Sequence, residues 1–275
     1  MGAGAFGAPR MSSISTRQVL SAARSALPSV KGFLPLVVFL AGWQLIQSAP
    51  SAYFPPPSLW FNAIAMMPKV QLGEAIVATL LSFCIGIGIA TAIGGLLGIC
   101  MGYSPLLSRA LDPLFEFLRS LPPPTIVPIA VLLIGYDERM KLVVIVLSAL
   151  WPILLNTAAS VQALNPLLLD VGKTFRLSHR ETIMKIIVPS AVPGLLIGIR
   201  VAIPLALVVT LLVEMLTSIP GLGAMIIMAQ RNFNAAQVYG LLVLIGIFGF
   251  LFNLLFQILE AIVLLQWPPR AQRDS

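Results

Sequence analysis

The residues able to do chemistry are few in this chain, and their placement excludes most reactions. The only histidine, His179, has no cysteine or acid cluster near it in sequence, so it offers no metal site and reads as a solvated loop residue. Cys84 and Cys100 stand sixteen positions apart within one apolar run and read as small core residues rather than a disulfide or metal pair. No glycine-rich loop ending in Gly-Lys-Ser/Thr is present, so the usual ATP-binding segment is missing. No two carboxylates are spaced for acid–base work, so neither catalytic residues nor a bound cofactor are expected.

What remains is a polar island between two apolar runs, residues 170–189, with four cations (Lys173, Arg176, Arg180, Lys185), His179 and the acids Asp170 and Glu181. Each charge at the centre of a bilayer would cost roughly 3 kcal/mol or more, so the island belongs in water. It reads as two short helices joined by a turn and lying along a membrane surface. Asp170 suits the positive end of the first helix, cations follow, and Pro189 ends the second. Phe175 and Leu177 would be exposed among charges. An apolar anchor with a charged rim is a surface built for a soluble partner.

A second group of polar residues lies inside or beside the apolar runs: Glu116, Arg119, Arg200, Glu214 and Glu260. Charges at membrane depth face a pore, an interface or one another. Glu214, with the small polar residues Asn156, Thr157, Thr210 and Thr217, is the candidate lining of a water-filled path. The competing reading is that the acid is ion-paired and the hydroxyls bond their own backbone. Glu116 and Arg119, three apart, could pair on one helix face. Arg200 could snorkel or reach a carbonyl of a neighbouring helix.

The elements that must position these residues are membrane spans. Of 275 residues, 58% are apolar and 10% charged, and mean hydropathy is +0.97, whereas a soluble domain is about 25% charged. Apolar runs bounded by prolines and charges predict about six spans: 33–47, 75–103, 111–135, 141–164, 191–216 and 238–265. Prolines 122–124 and 128 should interrupt the third. Gly94, Gly98 and Gly102 repeat at spacing four in the second, which lets another helix backbone come close. Residues 49–74 read as a loop with a short interfacial helix marked by Trp60-Phe61 and Met66-Met67, and 217–237 as a polar, glycine-containing loop.

The first 31 residues contain no acid, and Arg10, Arg17, Arg24 and Lys31 recur every seven. That spacing suits a basic face on an anionic membrane surface, a disordered tail or a transit peptide. With both ends on one side, twelve of the seventeen Lys and Arg fall on the side of the termini and four on the other, and Arg200 lies within a span. This bias places both termini and the island in the cytoplasm. The net charge of +7 is thereby a matter of topology and no sign of nucleic-acid binding. The chain divides into a basic segment 1–31, a transmembrane domain 32–267 containing the loop 165–190, and a tail 268–275.

The island is similar to the loop by which permeases of binding-protein-dependent ABC importers meet their ATPases. Asp170-Val171-Gly172 stand in the places of its Glu-Ala-Ala signature, and Ile187-Val188-Pro189 close it, Pro189 nineteen after Asp170. Arg176 stands where that family usually has glycine. Phe54-Pro55-Pro56-Pro57-Ser58, Asp112-Pro113-Leu114, Leu118-Arg119-Ser120-Leu121-Pro122, Trp151 through Thr157 and Gly221-Leu222-Gly223 through Gln230 resemble the nitrate, sulfonate and taurine branch. The resemblance implies an all-α, polytopic bundle of the type I importer architecture in a bacterial inner membrane. It implies a second permease copy, two ATPase subunits that carry ATP and magnesium, and an extracytoplasmic solute-binding protein. Coupling would fall on Asp170, Gly172, Thr174, Phe175, Arg176, Leu177, Ser178, His179, Arg180 and Pro189. A membrane scaffold and an ion-coupled carrier are the alternatives. A carrier would usually show inverted repeats and a buried ion-binding acid, and no clear repeat is present. A scaffold would not need a span broken by prolines.

Overall fold

The structure, a computed structural model, describes residues 30–46 and 53–264. Most of the basic N-terminal segment and the tail 268–275 lie outside the described residues. Among the described residues the chain is helical throughout, as apolar segments in lipid must be, because a helix satisfies its own backbone groups. After a 3-10 turn at Val30–Phe33 come α1 (Leu34–Ile46), α2 (Pro57–Ala65), α3 (Lys69–Tyr103), α4 (Pro105–Ser120), α5 (Pro123–Ile134) and α6 (Glu138–Gln162). They are followed by α7 (Pro166–Thr174), α8 (His179–Thr182), a π turn (Ile183–Ile187), α9 (Val188–Thr217), α10 (Leu222–Arg231) and α11 (Ala235–Leu264).

Four stretches are long and apolar enough to cross a membrane: α3, α6, the run His179–Thr217 and α11. The pair α4 and α5 counts as a fifth if it is one bent span, with 96° between its halves. The bend falls at Leu121-Pro122, as the proline run predicts, but Pro113 and Pro128 lie inside helices that continue past them. The sixth apolar helix, α1, has 13 residues and at 1.5 Å per residue reaches only about 20 Å, short of a ~30 Å core. The short helix expected within 49–74 is α2, whereas the loop expected at 217–237 carries a helix, α10. Trp60 is buried, stacks on Tyr239 at 5.2 Å and donates its Nε1–H to the Pro55 carbonyl at 2.9 Å. Phe61 and Met66 are exposed and Met67 is buried, so that stripe divides.

The core lies along α6, which packs against α3 on one side and α9 on the other. Glycines make both contacts close. A Cβ at Gly94 would come within 3.1 Å of the Leu150 carbonyl, and one at Gly98 within 2.7 Å of the Leu154 carbonyl. On the α9 side, a Cβ at Gly198 would come within 2.6 Å of the Ile153 Cα. The spacing-four glycines thus serve the helix contact expected of them. Cys84 and Cys100 are free and face outward from α3 rather than into the core.

Candidate functional site: the island and a buried clasp

The first helix of the island starts at Pro166, before Asp170. Asn165 caps α7, its side chain accepting from the Leu167 N–H at 2.9 Å, and Pro166 occupies the first turn where no N–H is needed. Asp170 therefore sits within the helix rather than at its positive end, and pairs with Lys173 at 2.9 Å. That neighbour raises the pKa of Lys173 above its usual value, by a hydrogen bond and by charge.

The end of α7 is fixed by backbone bonds. The Leu177 N–H reaches the Gly172 carbonyl at 3.0 Å and the Arg176 N–H the Lys173 carbonyl at 2.9 Å, the paired bonds that close a helix with a left-handed residue. Arg176 is that residue, at φ 53°. The position where the resemblance leads one to expect glycine thus has a left-handed backbone here with a side chain attached. Ser178 then starts α8 with a reciprocal cap: its hydroxyl accepts from the Glu181 N–H, and the Glu181 carboxylate accepts from the Ser178 N–H at 3.0 Å. Two mutually braced termini make the turn Phe175–Ser178 stiff.

Phe175 is 75% exposed at the tip, with Thr174, Arg176 and Arg180 exposed around it. Leu177, expected to be exposed, is half-buried because it folds back toward buried Gly172, beside Ile186. His179 is exposed with its ring 5.9 Å from that of Tyr103, at the end of α3. Pro189 does not end the second helix. Its missing N–H and its ring both act on the carbonyl four residues back, at Lys185, which lies inside the π turn. The helix continues through Pro189 into α9. The island is thereby joined to a single rod that runs to Thr217.

At the far end of that rod Glu214 is wholly buried. Its carboxylate accepts from the Thr79 hydroxyl of α3 at 2.9 Å and from the Gly223 N–H of α10 at 2.9 Å. The Thr79 oxygen in turn accepts from the Leu222 N–H at 2.8 Å. Lys141, on α6, is also wholly buried, with its ammonium 2.7 Å from half-exposed Glu138 and 3.5 Å from Glu214. Both carboxylates therefore attract the buried ammonium. Four helices meet in this clasp, and α10 is held by its backbone amides. A Cβ at Gly221 would collide with the Glu214 carboxylate, which is why the segment before α10 needs glycine.

The other residues expected to line a path bond the backbone of their own helices. Thr157, Thr210 and Thr217 each donate to the carbonyl four residues back at 2.7 Å, and Asn156 does so through its amide at 2.8 Å. Thr157 and Thr210 are fully buried. Among the span charges, Glu116 and Arg119 pair at 2.7 Å, and Arg200 faces Glu260 of α11 at 3.6 Å. Thr79 and the pairing role of Lys141 escaped the sequence reading. The available signal was two opposite charges, Lys141 at the start of one long span and Glu214 at the end of the next.

Several known proteins are similar to this chain. It is 36% identical over 177 residues to the bicarbonate transport system permease protein of Synechocystis sp., a match covering 60% of this chain and 62% of that relative's length. It is 29% identical over 244 residues to the nitrate import permease protein of Synechocystis sp., covering 85% and 89%. It is 28% identical over 246 residues to the putative aliphatic sulfonates transport permease protein of Bacillus subtilis, covering 86% and 87%. Residues 85–264, from the middle of α3 to the end of α11, match the family model for inner membrane components of binding-protein-dependent transport systems. With several helices of membrane length, this multi-pass chain belongs to that family.

Proposed function

We propose that this chain is the transmembrane permease subunit of an ATP-driven importer for a small solute, and that residues 165–190 couple it to separate ATPase subunits. The observation that carries the reading is the braced turn at Phe175–Ser178, a stiff knob with an exposed phenylalanine at its tip. ATP and magnesium belong to the partner ATPases, and this chain performs no hydrolysis itself. Two copies of the permease, two ATPases and an extracytoplasmic solute-binding protein complete the assembly, with both termini and the knob in the cytoplasm. The names of the relatives, for bicarbonate, nitrate and aliphatic sulfonates, support a small anion as solute.

The connectivity supports a mechanical role. The knob joins, through the π turn, a rod of 30 residues, about 45 Å long. That rod lies against α6 through Gly194 and Gly198 and ends at the Glu214 clasp. Movement of the knob as the ATPases close would shift the rod along α6 and bear on α10 at the opposite membrane face. Alternation between inward-open and outward-open states needs such a link.

Purification of the chain with its neighbouring ATPase tests this. The wild type should hold the ATPase, and Phe175→Asp with Arg176→Glu should release it with the helix content unchanged. Retention of the ATPase after residues 170–189 are replaced by a flexible linker would overturn the coupling role.

A further inference from the structure

The break between α4 and α5 opens a cavity of about 390 Å³ that none of the roles above uses. It sits beside residues 147–155 of α6, halfway along that helix, with Leu205 of α9 closing one side. Its walls are mainly apolar: Ile126, Leu147, Trp151, Leu155 and Leu205. Arg119, in the last turn of α4, is the only charged residue lining it. The positive charge is the side chain's rather than the helix terminus's, since α5 opens with Pro123 and Pro124, which carry no N–H. Ser148 also lines the space, but its hydroxyl hydrogen is committed to the Val144 carbonyl at 2.8 Å. Glu116, on the exposed side, engages one nitrogen of Arg119 at 2.7 Å, and a guanidinium has donors on three.

One forked cation among apolar walls selects its ligand. Nitrate or bicarbonate has polar atoms on every side, and those facing leucine and tryptophan would lose water and gain no partner. A wholly apolar solute would make no use of the guanidinium nitrogens that Glu116 leaves free. An oxyanion head on a short apolar body satisfies both, with the head on Arg119 and the body against Trp151 and Leu205. We propose that this cavity is a binding site for a small organic oxyanion, an alkanesulfonate or a short carboxylate, on its way through the membrane. The proposal rests on the import reading above and names its solute class.

The test is calorimetric titration of the purified full-length chain with sodium butanesulfonate, with nitrate as the head alone and butanol as the body alone. Butanesulfonate should bind, and each half roughly tenfold more weakly or worse. Arg119→Gln should weaken butanesulfonate roughly tenfold or more, and Arg119→Lys less, because an ammonium keeps the charge but loses the fork. Glu116→Gln should tighten binding by freeing the guanidinium. Leu205→Trp should block binding by filling the cavity while Arg119 stays in place. Nitrate binding as tightly as butanesulfonate, or binding unchanged in Arg119→Gln, would overturn the site. So would displacement of butanesulfonate by added phosphatidylglycerol, which would make the occupant a lipid. ATPase retention by the Arg119→Gln chain is read in parallel. If butanesulfonate binds as expected but the wild type holds no ATPase, the import reading fails and the site stands. If the ATPase is held and the titration fails, the site alone is lost.

Discussion

The ammonium of Lys141 stands 3.5 Å from the Glu214 carboxylate, and neither side chain has any exposure to solvent. The pair ties the start of α6 to the end of α9. Removing Glu214 leaves buried Lys141 with only half-exposed Glu138 and takes the acceptor from the Thr79 hydroxyl and the Gly223 N–H, at about 3–5 kcal/mol, whereas replacing both charges with apolar residues of similar size is less costly. Glu214→Leu should therefore lower the thermal midpoint of the purified chain sharply. Adding Lys141→Met should recover part of the loss. A double variant as unstable as the sum of its single changes would show that the two charges do not interact.

The α3–α6 contact makes a prediction that separates glycines by their surroundings. At Gly98 a methyl group would meet the Thr157 Cβ at 2.7 Å, and the opposing backbone cannot yield cheaply. Gly98→Ala should cost about 1–3 kcal/mol as overpacking. At Gly88 and Gly246 nothing lies within 4 Å of the added carbon. Alanine there should be neutral or gain up to about 1 kcal/mol of helix propensity. Thermal midpoints of the three variants decide it.

Arg176 holds a left-handed backbone at φ 53°, a conformation that disfavours side chains by about 1–2 kcal/mol. Arg176→Gly should leave stability unchanged or raise it by up to about 1 kcal/mol, the looser unfolded chain offsetting part of the relief. Arg176→Val should destabilise, since a branched Cβ tolerates this region least. The ranking Gly, Arg, Val in thermal midpoint is the expected result. The reverse order would mean that the turn is not left-handed in solution.

The reciprocal cap at Ser178 predicts a local effect. Ser178→Ala removes the hydroxyl that accepts from the Glu181 N–H and should cost about 1 kcal/mol. Amide hydrogen exchange over 179–185 should speed up severalfold, while exchange in α6 stays unchanged. Equal protection in the wild type and Ser178→Ala would show that packing, not the cap, holds α8.

The island's character was legible because its signals are local. Charge density, the Asp170 to Pro189 spacing and the turn chemistry around Ser178 are all read within a few residues. Its limits were less legible. Asn165 and Pro166 make a start signal two residues long, which the more conspicuous Asp170 overshadowed. Pro189 read as a stop because a proline removes a hydrogen bond, but a π turn lets the rod run through it. Helix α10 was read as loop because Gly221 and Gly223 flank its start, yet those glycines are there to let backbone approach Glu214.

By itself the sequence determined that this chain lives in a membrane and where most of its long apolar helices run. Run length and charge settle these things, because lipid allows no unpaired backbone and no cheap charge. Only the tertiary structure decided which polar residues answer one another. Thr79 and Glu214 lie 135 positions apart, and Arg200 finds Glu260 on another helix. Position along a span fixes a residue's depth, but its partners depend on how each helix is turned about its axis and which neighbours it faces. Those choices were made by side-chain packing, by the glycines that bring α3 and α9 against α6, and not by any pattern within a single run.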